Sequence, residues 1–144
     1  MTRMIDVRRS GAWTPLKADE GLRVGDWVRV RLQLRSANAG QMLAINEPLP
    51  GGLRAVDPSL EGLADAGVLQ ASQASDWFFS ANRVIENTRV QFFSEYFPAS
   101  QFQASYVAQA RFAGEFVWLG STAELMYNPQ ISARAAAFRL RILP

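Results

Sequence analysis

Apolar and polar residues alternate with a period of two along most of this chain, the spacing that puts successive side chains on opposite faces of an extended strand. The pattern is clearest over Val28-Arg29-Val30-Arg31-Leu32-Gln33-Leu34-Arg35, where one face is apolar and the other is Arg, Arg, Gln and Arg. Such a segment reads as a half-buried antiparallel strand. Gly25-Asp26 before it and Ser36 to Gly40 after it are turn signals, so a second strand, Met42 to Glu47, is expected to fold back beside it. Ile5 and Val7 alternate with Asp6 and Arg8 as an earlier short strand, which the stretch Gly11 to Leu16 is expected to break. Pro48-Leu49-Pro50-Gly51-Gly52 ends the second strand, because proline has no N–H to give a ladder.

From Asp57 to Ser75 the β-branched residues thin out, and this stretch reads as a long crossover loop or a short helix. Trp77-Phe78-Phe79 opens a strand running to about Ile85, and Glu86-Asn87-Thr88 turns it into Arg89 to Phe97, a hairpin. Phe102, Ala104, Tyr106, Ala108 and Ala110 then line one face of a long strand, Glu115 to Leu119 forms a shorter one, and Phe138, Leu140 and Ile142 mark the last. About eight strands with turns between them predict an all-β chain, an antiparallel β-sandwich forming a single domain over residues 1–144.

One stretch breaks the alternation. Ala123-Glu124-Leu125-Met126-Tyr127-Asn128-Pro129 carries three large side chains in a row before an Asn-Pro turn signal. Neighbouring side chains of an extended segment point to opposite faces, so at least one of Leu125, Met126 and Tyr127 must leave the core and seek another surface. Burial of all three between two sheets is the competing expectation. The aromatic residues Trp77, Phe78, Phe79, Phe92, Phe93, Tyr96 and Phe97 read as core rather than as a ligand cavity.

Composition narrows the chemistry. The chain has 144 residues, enough to bury a core without a staple. It contains neither cysteine nor histidine, which removes thiol nucleophiles, thiolate and imidazole metal sites and the most common general base. Lys17 is the only lysine, and no glycine-rich phosphate loop precedes it. No cofactor or metal is expected. Glu86, Glu95, Glu115 and Glu124 are candidates for a carboxylate pair of the glycosidase kind, although scattered carboxylates are common on any sandwich. Arg29, Arg31 and Arg35, with Trp27 beside them, are candidates for a polyanion or nucleic-acid face; against this, the net charge is only +2. No apolar run is long enough to span a membrane, and charges interrupt residues 1–10 where a signal peptide needs an apolar core. The expectation is a cytosolic protein or a piece of a longer exported chain.

The order of several short motifs carries more. Leu22-Arg23-Val24-Gly25-Asp26-Trp27-Val28, Pro48-Leu49-Pro50-Gly51-Gly52-Leu53, Arg89-Val90-Gln91-Phe92-Phe93, Tyr106 to Arg111, Gly114-Glu115-Phe116 and Ala123 to Pro129 follow one another over nearly the whole chain. This arrangement resembles the C-terminal, receptor-binding-like domain of bacterial alpha-2-macroglobulins. The resemblance implies a non-catalytic β-sandwich within a much longer protease-trapping chain, periplasmic and associated with the inner membrane through its parent. Its implied partners are other domains of that chain, target proteases and other envelope proteins, without nucleic acid or membrane insertion. In the family the Met-Tyr pair packs against the thioester domain and shields the reactive bond, which implies an interdomain docking role for Leu125, Met126, Tyr127 and Asn128. Asn87-Thr88 stands where the family has Asp-Asp, and Leu119-Gly120-Ser121-Thr122 replaces paired prolines. These departures point to the branch without a thioester, of the MagD type.

Overall fold

The structure, a computed structural model, describes residues 1–57, 82–97 and 99–144. Among them it is all-β: β1 (Thr2–Arg9), β2 (Ala12–Pro15), β3 (Leu22–Arg23), β4 (Trp27–Ser36), β5 (Gly40–Pro48), β6 (Leu53–Ala55), β7 (Arg83–Ile85), β8 (Arg89–Phe97), β9 (Ser100–Ala110), β10 (Gly114–Trp118), β11 (Thr122–Leu125), β12 (Asn128–Arg134) and β13 (Phe138–Leu143). One sheet has the order β2-β1-β4-β9-β6, a second β12-β11-β5-β8-β7, and a small third one β10-β13-β3. Pairing is antiparallel except between β13 and β3, where Ile142 lies beside Leu22.

The inner faces form one core. Val28, Val30, Leu32 and Leu34 of β4 are buried, as the alternation requires, and so are Leu43 and Ile45 of β5, Val90 and Phe92 of β8, and Phe102 to Ala110 at every second position of β9. Leu22, Trp118, Leu140 and Ile142 bring the third sheet into the same cluster. Each fully buried Val, Leu, Ile or Phe side chain among them contributes about 1.5–3 kcal/mol of hydrophobic stabilisation. Phe92 meets Tyr106 from the facing sheet, their ring centroids 6.4 Å apart.

Three expectations need correction. The sandwich has thirteen strands among the described residues rather than about eight: β2, β3, β6 and β11 have two to four residues each and are too short to display a period, and β12 is exposed along nearly all its length, so no buried face forces it to alternate. The expected break at Gly11 to Leu16 is itself a strand, β2, held to β1 through Arg9↔Ala12 to Asp6↔Pro15. Finally, β4 and β5 do not pair. β4 lies between β1 and β9, whereas β5 lies between β11 and β8 in the other sheet. Each strand has a single apolar face, and the short link between them carries the chain across the core so that those faces oppose one another. Of the Asp57 to Ser75 excursion, all beyond Asp57 lies outside the described residues, as do Trp77, Phe78 and Phe79.

Candidate functional site

β11 and β12 form a hairpin along the edge of the second sheet, with β11 docked on β5 through Thr122↔Asn46 to Leu125↔Leu43. Its tip is Met126-Tyr127, enclosed by the pair Leu125↔Asn128. Neither tip residue has positive φ, so the turn is not of the primed kind that matches strand twist, and the register slips directly beside it, between Glu124 and Leu125. The tip is nevertheless tethered. Met42 sits in the left-handed region at φ 55°, and its carbonyl accepts a 2.8 Å hydrogen bond from the Met126 N–H.

Along this segment burial changes abruptly. Ala123 is buried and Leu125 packs on the core, but Met126 is 47% exposed and Tyr127 84% exposed. Burial of all three large side chains, the competing expectation, does not occur. Two-residue turns favour glycine and asparagine, so a methionine and a tyrosine here have no local justification. Beside the hairpin, Leu34, Leu43, Phe97, Leu125 and Ile131 line a shallow groove of about 90 Å³, with Arg35 and Glu124 also in its wall. Ile131, on the outermost strand, is 52% exposed.

The basic stripe is largely spoken for. Arg29 donates through Nε and Nη2 to Asp6 Oδ2 at 3.1 and 2.9 Å, and Arg31 donates to Asp6 Oδ1 at 3.0 Å. Asp6 is 3% exposed, so one buried carboxylate anchors two guanidinium groups. The aromatic ring beneath Arg29 is Trp13, 5.1 Å from its Cζ, rather than the expected Trp27. Arg35 is exposed at the far end of the strand.

The four candidate carboxylates are spread over separate places. Glu86 is in the β7–β8 turn, where a 2.7 Å bond from Arg89 Nε holds its carboxyl below the usual carboxylate value. Glu95 is on β8, Glu115 on β10 and Glu124 on β11, all three exposed. Among the described residues no group of three or more carboxylates could hold a metal ion.

The carboxylate that the sequence reading passed over is Glu47, fully buried in the last turn of the β5 alternation. Its Oε1 accepts from Tyr106 Oη and Trp118 Nε1, each at 3.1 Å. Its Oε2 accepts from Arg3 Nη2 at 3.0 Å and from the Ser121 hydroxyl. The donors come from β1, from β9, from β10 and from the residue before β11, so one side chain ties all three sheets together. The Arg3 guanidinium, 5.0 Å from the Trp118 ring centroid, also donates to the Leu119 carbonyl. Burial pushes the Glu47 carboxyl above its ordinary value, outweighing the opposing pull of the Arg3 charge. Burial and the adjacent Glu47 charge raise the Tyr106 hydroxyl well above its own. A signal did exist: Leu43, Ile45 and Glu47 are in phase on the inward face. Both oxygens of Glu47 are occupied and the cluster is closed to solvent, a bolt rather than a reaction centre.

Comparison with known proteins agrees with this fold. Residues 1–130 match the family model of the bacterial alpha-2-macroglobulin MG10 domain. An alpha-2-macroglobulin homolog of Nostoc sp. (strain PCC 7120) is 32% identical over 98 residues, which is 68% of this chain and 5% of that protein. The chain thus spans about one-twentieth of the curated relative's length. Among solved structures, Escherichia coli alpha-2-macroglobulin activated by porcine elastase superimposes with a TM-score of 0.81 at 22% identity, over 99% of this chain and 13% of that one. The native E. coli protein spanning domain MG7 to the C-terminus gives 0.73 at 22% identity, over 99% of this chain and 23% of that one. At such identities the likeness concerns the fold. The family match covers nine-tenths of the sequence, and the chain therefore belongs to the bacterial alpha-2-macroglobulin MG10 domain family.

Proposed function

We propose that this domain is a non-catalytic part of an alpha-2-macroglobulin-like protease trap, and that the β11–β12 tip docks it on a neighbouring domain of the same parent chain. The observation that carries this reading is the exposure of Met126 and Tyr127 at 47% and 84% on a tip whose backbone is tied to β5. A tyrosine and a methionine held out on a fixed support supply adaptable apolar cover at small entropic cost. The share of the curated relative that this chain spans supports a large parent, and the elastase-activated E. coli structure is consistent with a protease partner acting through that parent. Its likeness to a chain running from MG7 to the C-terminus supports a place in the later part of the parent. On this reading the parent is periplasmic and held at the inner membrane, and the departures at Asn87-Thr88 and Leu119 to Thr122 favour the MagD-type branch without a thioester. Met126 and Tyr127 are then interdomain packing residues only.

The polyanion alternative is weaker, since Asp6 already engages Arg29 and Arg31. The test of docking is Met126→Ser with Tyr127→Ser. In the 144-residue chain the pair changes stability by less than about 0.5 kcal/mol, because exposed side chains contribute little to folding. In the parent chain it loosens the native arrangement, read as faster limited proteolysis and a larger hydrodynamic radius before any target protease is added. A parent that keeps both at wild-type values would refute the docking role.

A further inference from the structure

Among the described residues, a second concentration of charge lies away from the hairpin. A cleft of about 390 Å³ opens between β1, the segment following β2 and the start of β13, with Arg3, Lys17, Arg31 and Arg139 in its wall. The acids there are already engaged: Asp6 is shared by Arg29 and Arg31, Glu20 is held by Arg9, and Glu47 takes Arg3. One of the two guanidinium charges on Asp6 is left over, and Lys17 and Arg139 are exposed beside it, while Asp19 lines the adjoining hollow instead. The local excess matches or exceeds the +2 of the whole chain. The wall is also short of acceptors, because Arg3 and Arg31 each keep a buried Nε–H without one, and the Arg3 side chain is only 3% exposed. Ile5, Leu16 and Phe138 also line the cleft.

We propose that this cleft is a socket for an acidic peptide segment, a carboxylate next to an apolar side chain, contributed by another domain of the parent chain. The charge selects the carboxylate, and the apolar wall favours a peptide over a bare phosphate backbone. The source of the segment rests on the proposed parent; the socket itself does not.

Two arms separate these. The 144-residue chain is titrated by NMR with acetylated, amidated tetraglutamate, with tetraglutamine and a thymidine octamer as comparisons. Tetraglutamate binds saturably, tetraglutamine does not, and Lys17→Ser with Arg139→Ser weakens binding about tenfold. Absent saturation, an unaffected double variant, or tighter binding of the octamer overturns the socket. In the second arm the parent chain is treated with a zero-length carbodiimide coupler; Lys17 is the only lysine of this sequence, so its adducts are easily recognised. A Lys17 bond to an Asp or Glu of another domain of the same chain, lost in Lys17→Arg, supports the assignment. Bonds formed only between copies or with other proteins overturn the source.

Discussion

Replacing Arg3 by methionine keeps an unbranched apolar stem of similar reach but takes away the guanidinium that pairs with Glu47 at 3.0 Å. Both side chains are shielded, at 3% and 0% exposure, so the charge left on Glu47 cannot turn to water. Losing one partner of a buried pair costs about 3–5 kcal/mol, against a total stability of about 5–15 kcal/mol for a domain. At this chain length that corresponds to a fall in Tm of about 10–15 °C. Urea melts of wild type, Arg3→Met, Glu47→Gln and the double variant complete a cycle. In the double variant the glutamine oxygen still accepts from Tyr106 and Trp118, and its amide can donate towards the Ser121 hydroxyl. It is therefore expected to be more stable than Arg3→Met by about 2 kcal/mol. The pH dependence follows from the same geometry. A carboxyl whose pKa is higher folded than unfolded binds its proton more tightly when folded, so the associated stability is fully present below the ordinary value of 4.5 and is lost as pH rises through the folded pKa. Without Arg3 the folded pKa rises further, since the guanidinium charge was lowering it. The penalty of Arg3→Met is thus larger at about pH 8 than at about pH 5. A penalty under about 1 kcal/mol, or one that grows as pH falls, would show that Glu47 is not held as a desolvated partner of Arg3.

Three other substitutions probe separate parts of the frame. Phe92→Ala empties a fully buried ring site against Tyr106 and should cost about 3–5 kcal/mol in urea melts; a loss below about 1 kcal/mol would mean that the facing sheets are not in contact there. Asp6→Asn removes the shared acceptor of Arg29 and Arg31 and should cost about 1–2 kcal/mol, a modest value because both arginines are partly solvated. It should also lengthen retention on a polyanion column, and unchanged retention would contradict the view that Asp6 neutralises this face. Gly120→Ala puts a Cβ onto the carbonyl oxygen of Ala135, a backbone atom that cannot swing aside, and should lower stability by about 1–3 kcal/mol; a neutral result would mean that the 119–122 connection is free to shift.

What the sequence disclosed was local, and what it withheld was where strands lie relative to one another. The β4 alternation, the inward row of β9 and the β7–β8 hairpin are written in adjacent residues, because a strand with one wet face must alternate. Which sheet receives β5 is not written there. A link of three residues, Ala37-Asn38-Ala39, permits either a hairpin in one sheet or a crossing to the other, and only contacts with β8 and β11, both distant in sequence, select the crossing. The two polar sites differ for the same reason. Met126 and Tyr127 were conspicuous because they break a period within a few residues, so their departure from the core was legible even though their partner was not. Glu47 keeps the period, and its charge alone marks it. Its donors lie 44 to 74 positions away. A buried carboxylate in phase with Leu43 and Ile45 needs several donors converging from elsewhere, and in a sandwich those can come only from other sheets. An in-phase acid at the end of an apolar row is thus a sequence-level sign that sheets meet at that point. Here the meeting place is where β1, β9, β10 and the start of β11 converge, which fixes the frame from which the exposed hairpin projects.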